Sequence, residues 1–152
     1  MRRSATAIVV AATAALAGGG VAVAATVGTV LGGRTSQGWP IVIELNKAGT
    51  QVVRVSAGLH LTCTSGSIVN LPDEYRKVAV SKAGKFSLSF GPTTRKNDNG
   101  TTTDFEGSIT GKLNKARTKA TGKWSFKGTD HDAAGTVTDT CDSAKVSWTA
   151  KA

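Results

Sequence analysis

The sequence predicts an all-β fold, a single antiparallel β-sandwich or barrel-like domain, and three observations support it. Apolar and polar residues alternate at a period of two along most of the chain after residue 25, which is the spacing of half-buried strands. Clusters of Gly, Asn, Asp and Ser interrupt these runs about every 8 to 12 residues, as turns do. No segment after residue 25 carries the stripe of an amphipathic helix.

The N-terminal segment has the composition of a signal peptide. Arg2 and Arg3 precede a long apolar run, which reaches small residues at Ala22 and Ala24. This order of charged, apolar and small residues predicts cleavage after Ala24, with residues 1–24 as the signal peptide and residues 25–152 as the β domain. The alternative is an uncleaved membrane anchor, because about 20 apolar residues suffice to span a bilayer.

The strands follow in order, beginning where Val27, Thr29 and Leu31 alternate. Later candidate strands are marked by Ile41, Ile43 and Leu45; Phe86, Leu88 and Phe90; Phe105, Ile109 and Leu113; Ala120, Trp124 and Phe126; Val137; and Val146, Trp148 and Ala150. Turn residues lie between them at Ser36–Gly38, Asn46–Gly49, Asn97–Gly100 and Asn114–Thr118. We expect a hairpin that joins Asp104–Leu113 with Lys119–Lys127, and a long polar loop from Pro92 to Thr103.

Two cysteines stand 78 positions apart, at Cys63 and Cys141. In an exported chain they predict one disulfide, because an oxidising compartment preserves the bond. Closing so long a loop removes unfolded-state entropy worth about 4 kcal/mol. The alternative, two free thiols in a reactive or metal-binding pair, calls for short spacing or a neighbouring histidine, and neither cysteine has one.

Several motifs together resemble a group of small secreted β-rich proteins of high-GC Gram-positive bacteria. They are Thr35-Ser36-Gln37-Gly38, the central Cys63, Gly84-Lys85-Phe86, Phe105-x-Gly107-x-Ile109-x-Gly111, Gly122-x-Trp124 and Cys141-Asp142-Ser143-Ala144-x-Val146-x-Trp148-Thr149-Ala150. The resemblance covers nearly the whole chain after the signal segment and implies export and an all-β fold, with no particular activity. Ala144 stands where such proteins often carry glycine, which argues against a special backbone angle there.

Few side chains suited to catalysis are present, since the chain has one Tyr and two His. A Ser-His-Asp arrangement could be assembled from Ser143, His131 and either Asp130 or Asp139. However, the sequence lacks the Gly-x-Ser-x-Gly turn of many serine hydrolases. We expect His131 to lie in a solvent-facing loop and His60 to be a strand side chain.

Metal and cofactor chemistry has equally little support, so we expect neither a cofactor nor a metal. The two histidines are far apart, which does not fit a zinc site. Asp130-x-Asp132 offers oxygen ligands for calcium but lacks the further acids of a recognised calcium loop, and a polar turn is the simpler interpretation.

Charge is the most informative feature of the sequence. The chain has 19 Lys and Arg and 10 Asp and Glu, which gives a net charge of +9. Six cations lie in an acid-free stretch, which the predicted hairpin would gather at one edge: Lys112, Lys115, Arg117, Lys119, Lys123 and Lys127. This cluster suits an anionic polymer. The alternative is that outward lysines only keep the sheet soluble and protect its edges.

These observations favour an exported, non-catalytic β domain that contacts the cell envelope or another macromolecule, secreted or associated with the cell wall. The expected partner is an anionic cell-wall polymer or another exported protein. Membrane contact is expected only if the signal segment stays uncleaved, and nucleic acid is not expected because stacking aromatics are scarce. Trp39 is the one tryptophan we expect to be exposed. The alternatives are a secreted hydrolase using His131, Ser143 and an Asp, and a proteinase inhibitor presenting Pro92–Thr103.

Overall fold

A computed structural model describes residues 27–152, and this part of the chain is entirely strands and turns, which confirms the predicted all-β class. The predicted signal peptide lies outside the described residues. The nine strands are β1 (Val27–Thr35), β2 (Pro40–Asn46), β3 (Gln51–Cys63), β4 (Ile68–Ala79), β5 (Lys85–Lys96), β6 (Thr102–Leu113), β7 (Lys119–His131), β8 (Val137–Asp142) and β9 (Val146–Lys151). Among these residues, no helix is long and apolar enough to cross a membrane.

The strands form one antiparallel sheet in the order β4-β3-β2-β1-β9-β7-β6-β5. Strand β8 lies off this path and pairs with both β3 and β7. Because β3 and β7 are far apart in the strand order, their shared partner closes β3, β2, β1, β9, β7 and β8 into a ring. The sheet is therefore folded over on itself, with β4 and β5 as its two free ends.

The interior is formed by the alternate residues that the sequence pattern predicts. Its fully buried members include Leu31, Ile41, Ile43, Leu45, Ile109, Trp124 and Val146. Trp148 is also buried, so two of the three tryptophans belong to the core. The large rings lie flat on glycines of the neighbouring strand: Phe86 covers Gly111, and Trp148 covers Gly122. Burial of these rings adds a large apolar area to the core of this half of the sheet.

The predicted disulfide between Cys63 and Cys141 is present, with an S–S distance of 2.01 Å. It joins the last residue of β3 to β8 at the point where these strands pair. The covalent bond therefore reinforces the short contact that closes the ring. A disulfide of this kind indicates an oxidising, non-cytoplasmic environment.

The predicted loop from Pro92 to Thr103 is wrong. Strand β5 continues to Lys96 and β6 begins at Thr102, so only a short turn separates them. The chain passes Pro92 through a register shift between Phe90 and Thr93. Proline has no N–H to donate to a neighbouring strand. It is tolerated here because β5 is an edge strand, which pairs with β6 on one side only among the described residues.

The expectation of an ordinary backbone at Ala144 is also wrong, since its φ is 54°. This left-handed conformation turns the chain between β8 and β9. The Ala144 amide donates a hydrogen bond to the Asp142 carboxylate, which holds the turn. An alanine thus occupies a position where glycine would be less strained.

Candidate functional site

The predicted hairpin is present as β6 and β7. The alternation of side chains along each strand determines on which side of the sheet each predicted basic residue lies. Ala120 and Trp124 of β7 are buried, so Lys119, Lys123 and Lys127 point to the opposite, outer side and are exposed. Lys112 of β6 is exposed on the same side, beside the cross-strand residue Thr121. Four of the six predicted cations therefore share one face.

Neighbouring strands add two lysines that the sequence does not single out. Lys85 of β5 pairs directly with Lys112, and Lys151 of β9 pairs directly with Lys119. Cross-strand partners lie on the same side of a sheet, with Cβ atoms about 5 Å apart. We call the outward surface formed by Lys85, Lys112, Lys119, Lys123 and Lys151 the basic face.

Hydroxyl groups occupy the positions between these lysines. Ser87, Thr110, Lys123 and Ser147 are aligned across four strands, and Thr121 and Thr149 form the neighbouring pair. An open trough of about 690 Å³ adjoins these positions. Its lining includes Lys85, Lys112 and Lys123, together with Val80 and Phe86. The basic face thus presents ammonium and hydroxyl donors together on a surface that ligands can reach.

Acidic residues border the basic face without entering it. Lys127 lies between Glu106 and Asp142, its cross-strand partners on either side. Within residues 27–152, no lysine of the basic face has a carboxylate within 4.0 Å. Lys127 is therefore the boundary of the positive region, while the five lysines beyond it remain free to meet an external anion.

Lys115 and Arg117 lie in the β6–β7 turn and differ from each other. Lys115 is exposed. Arg117 has a φ of 59° and its side chain packs against two other turns, so that a Cβ at Gly84 would lie 2.9 Å from Arg117 Nη1. Arg117 is only half-exposed, because three turns meet at this end of the sheet and its side chain fills the space between them.

The outer surface of the other half of the sheet has a different electrostatic character. Arg54 of β3 forms ion pairs with Glu44 and Glu74, and Glu74 also pairs with Arg76 at 2.5 Å. The Glu44 carboxylate raises the pKa of Arg54 by hydrogen bonding and charge attraction. Charges here neutralise each other within the protein, whereas those of the basic face do not.

Trp39 lies on this other surface and is half-buried rather than free. Its ring covers Gly58, where a Cβ would lie 2.7 Å from Trp39 Cε3. It meets the His60 ring edge-on at a centroid distance of 5.2 Å. His60 is a strand residue, as predicted, and its Nδ1 is 2.6 Å from Asn70 Oδ1.

The structure does not bring the candidate triad together. Ser143 is buried, and its Oγ accepts a hydrogen bond from the Phe126 amide at 2.8 Å and donates one to the Ala144 carbonyl. His131 lies five residues further along β7 than Phe126, which corresponds to roughly 16 Å in an extended strand. A direct proton transfer between Ser143 and His131 would require them within hydrogen-bond reach.

His131 is the last residue of β7, so the expected loop position is wrong. Its Nε2 lies 3.1 Å from Asp104 Oδ2, and its Nδ1 lies 3.3 Å from the Gly135 carbonyl oxygen. Asp130 instead accepts a hydrogen bond from the Thr103 hydroxyl. The residues proposed for hydrolysis therefore take part in separate cross-strand and turn contacts.

The acidic candidates for calcium serve turns. One Asp132 oxygen accepts hydrogen bonds from the Ala134 and Thr136 amides, and Asp130 points to Thr103. A second group, Cys63, Asp139 and Cys141, has its ligand atoms within 4.8 Å of one another. Both of its sulfurs are joined in the disulfide, so they do not act as thiolate ligands.

Comparisons of the chain with protein-family models, curated proteins and solved structures gave no match.

Proposed function

We propose that this protein is an exported β domain that binds an anionic polymer of the cell envelope through its basic face. The observation that supports this proposal is the arrangement of Lys85, Lys112, Lys119, Lys123 and Lys151 on one outer surface, free of internal ion pairs among the described residues. Lysines that only keep a sheet soluble have no need to share one side of four adjacent strands.

The spacing of the basic face suits a repeating anion. Cross-strand lysines are about 5 Å apart, and lysines four residues apart on one strand are about 13 Å apart. Adjacent ammonium groups thus lie within a Debye length of about 8 to 10 Å, so their fields add at the surface. A polymer with many negative groups meets several lysines at once, which gives avidity that a single anion lacks.

The hydroxyls determine the expected type of recognition. Ser87, Thr110 and Thr121 can donate hydrogen bonds to phosphate or carboxylate oxygens while the neighbouring lysines supply charge. Phe86 is the one aromatic residue that lines this trough among the described residues, and its ring is buried, so it is not available to stack on nucleic-acid bases. Binding should therefore depend on charge density, tolerate different polymer sequences and weaken as salt rises.

The test compares two double variants with the same change in net charge. Lys112→Glu with Lys123→Glu places two acids in the centre of the basic face. Lys47→Glu with Lys96→Glu changes two exposed lysines in other turns and strand ends. Sedimentation with purified cell walls at low salt should pellet the parent and the Lys47/Lys96 variant, and leave the Lys112/Lys123 variant in solution.

Two outcomes would contradict the proposal. If the Lys112/Lys123 variant pellets as well as the parent, the basic face does not bind the wall. If both variants lose binding equally, overall charge rather than this surface is responsible. Circular dichroism should show the same β spectrum for all three proteins, because the substituted side chains are exposed.

A further inference from the structure

A second concave site lies inside the fold, at the end of the molecule that carries the disulfide. It is a cavity of about 550 Å³ between β4 and the β5–β6–β7 half of the sheet. Its apolar lining includes Leu61, Leu71, Phe90, Phe105 and Phe126. Small-molecule sites are cavities of about 300 to 1,000 Å³ with predominantly apolar walls, so both size and lining are suitable.

The topology explains why this apolar surface is open. Strands β4 and β5 are the free ends of the sheet, and no further strand of residues 27–152 covers the inner face between them. Phe126 is the centre of an aromatic wall, with its ring centroid 5.8 Å from that of Phe90 and 6.4 Å from that of Phe105. All three rings are half-buried rather than buried. Val69 at the rim is 42% exposed.

Two acids and one base are the charged residues that line the cavity. Asp73 and Asp130 both line it, and neither has a cationic side chain within 4.0 Å among residues 27–152. Asp73 accepts a hydrogen bond from the Glu74 amide and Asp130 accepts one from the Thr103 hydroxyl. Arg95 is the one lining cation; it is exposed, and it donates to the Asn97 side chain.

Tyr75 also lines this cavity. Its side chain is 9% exposed, and its buried hydroxyl has no hydrogen-bond partner among the described residues. Burial, followed by the nearby Asp73 carboxylate, raises the pKa of Tyr75, so this hydroxyl remains neutral.

We propose that this cavity binds an amphiphilic organic cation, an alkyl or aryl amine whose apolar body lies against Phe90, Phe105 and Phe126 and whose ammonium group faces Asp73 and Asp130. The two carboxylates supply the missing counter-charge. The aromatic faces attract a cation as well as an apolar chain. The Tyr75 ring lies on the same side of β4 as Asp73 and extends the aromatic wall, with its centroid 5.4 Å from that of Phe90.

Matched probes distinguish this ligand class from a general preference for apolar molecules. Octylammonium, octanol and octanoate share one chain and differ in head-group charge. Titration calorimetry below their micelle concentrations should show octylammonium binding about tenfold more tightly than octanol, the scale of one cation–π or half-buried ionic contact, with octanoate weakest. Equal binding of octylammonium and octanol, tighter binding of octanoate, or no binding would overturn the proposal.

Variants locate the site. Val69→Trp should fill the cavity and remove octylammonium binding, and its partly exposed position makes retention of the fold the expected result. Asp73→Asn should reduce octylammonium binding to the level of octanol. Glu106→Gln, which removes an acid from the outer side of β6, is the matched control and should leave binding unchanged. Loss of binding in this control, or its persistence in both cavity variants, would refute the assignment.

This cavity shares no residue with the basic face, and the same variants test the two sites separately. The Lys112/Lys123 variant should bind octylammonium like the parent, while Val69→Trp should still sediment with cell walls. A failure of wall binding therefore leaves the cavity proposal standing, and a failure of amine binding leaves the wall proposal standing.

Discussion

Inner-face glycines allow this small domain to bury large aromatic rings. Phe86 lies so close to Gly111 that a Cβ at that position would be 2.2 Å from Phe86 Cζ. Gly32 of β1 provides a contrast, because a Cβ there would have no atom within 4 Å. The sequence places glycines in step with apolar residues of β6, but it does not reveal that rings from the neighbouring strands cover them.

Gly111→Ala should destabilise the protein, because the Phe86 ring or the backbone must move. Overpacking of a core by a methyl group costs about 1 to 3 kcal/mol. Gly32→Ala, the matched control, should leave the free energy of unfolding unchanged or raise it by up to about 1 kcal/mol, since alanine restricts the unfolded chain. Guanidinium denaturation measures both. Equal stability of the two variants would contradict the packing argument.

Other residues show where sequence reasoning stops. Alternation correctly predicts the outward direction of Lys112, Lys119, Lys123 and Lys127, because side-chain direction in a strand is a local property. The position of Arg117 could not be predicted in this way. Its side chain depends on three turns meeting in space, and their proximity is a property of the whole sheet.

At the scale of strands, β4 is the element that the sequence pattern does not reveal. Its inner face carries Leu71 and Tyr75, but Asp73 interrupts their alternation and Pro72 suggests a break. Both residues fit an edge strand. Pro72 pairs with Gly58 of β3, the one strand that pairs with β4 among the described residues, and Asp73 reaches the cavity. A charged residue within an apolar face is thus a feature of the candidate ligand site.

The turn between β3 and β4 depends on one carboxylate from β8. Asp139 accepts hydrogen bonds from the Ser65 and Thr64 hydroxyls, each at 2.6 Å, and from the Ser65 and Thr140 amides. These bonds, those of the Ser65 hydroxyl first, lower the pKa of Asp139 from 3.8 to about 2. A charged Asp139 therefore ties the turn to the strand that closes the ring.

This shift predicts how stability depends on pH. The pKa of Asp139 is lower in the folded state, so the unfolded chain takes up the proton first as pH falls. The stabilisation from Asp139 is complete above about pH 4 and disappears as pH falls through about 2. Asp139→Asn should remove this part of the pH dependence in urea denaturation measured between pH 5 and 2. Asp98→Asn, at an exposed turn residue, should retain it; the same profile in both variants would exclude this role.

For the whole molecule, one folded-over sheet provides two separate surfaces. The outer side of β5, β6, β7 and β9 carries the basic face, and the inner side near the free ends carries the aromatic cavity. The sequence could indicate part of the basic face because Lys112 to Lys127 are neighbours in one hairpin. Lys85 and Lys151 join them only through strand pairing, and the cavity combines residues from β3 to β8.

The ring closes through a small contact. Strand β3 pairs with β8 over Thr62 and Cys63 alone, and the disulfide lies within that pairing. Cys141 and Leu61 also line the cavity, whereas the lysines of the basic face lie on strands held together by long ladders. Loss of the bond should therefore affect the two proposed sites unequally.

Cys63→Ser combined with Cys141→Ser should lower the free energy of unfolding by about 3 to 4 kcal/mol, because the bond closes a long loop in the unfolded chain. Under conditions where circular dichroism shows the variant folded, hydrogen exchange should quicken first at the Thr64 amide, which donates to the Thr140 carbonyl of β8 beside the lost bond. Octylammonium binding should weaken as that wall of the cavity loosens. Sedimentation with cell walls should persist, because the β5–β6–β7–β9 ladders do not include the bond.

Unchanged stability of the double variant would show that the disulfide is dispensable. Parallel loss of octylammonium binding and cell-wall binding would show that the two surfaces are not separately supported.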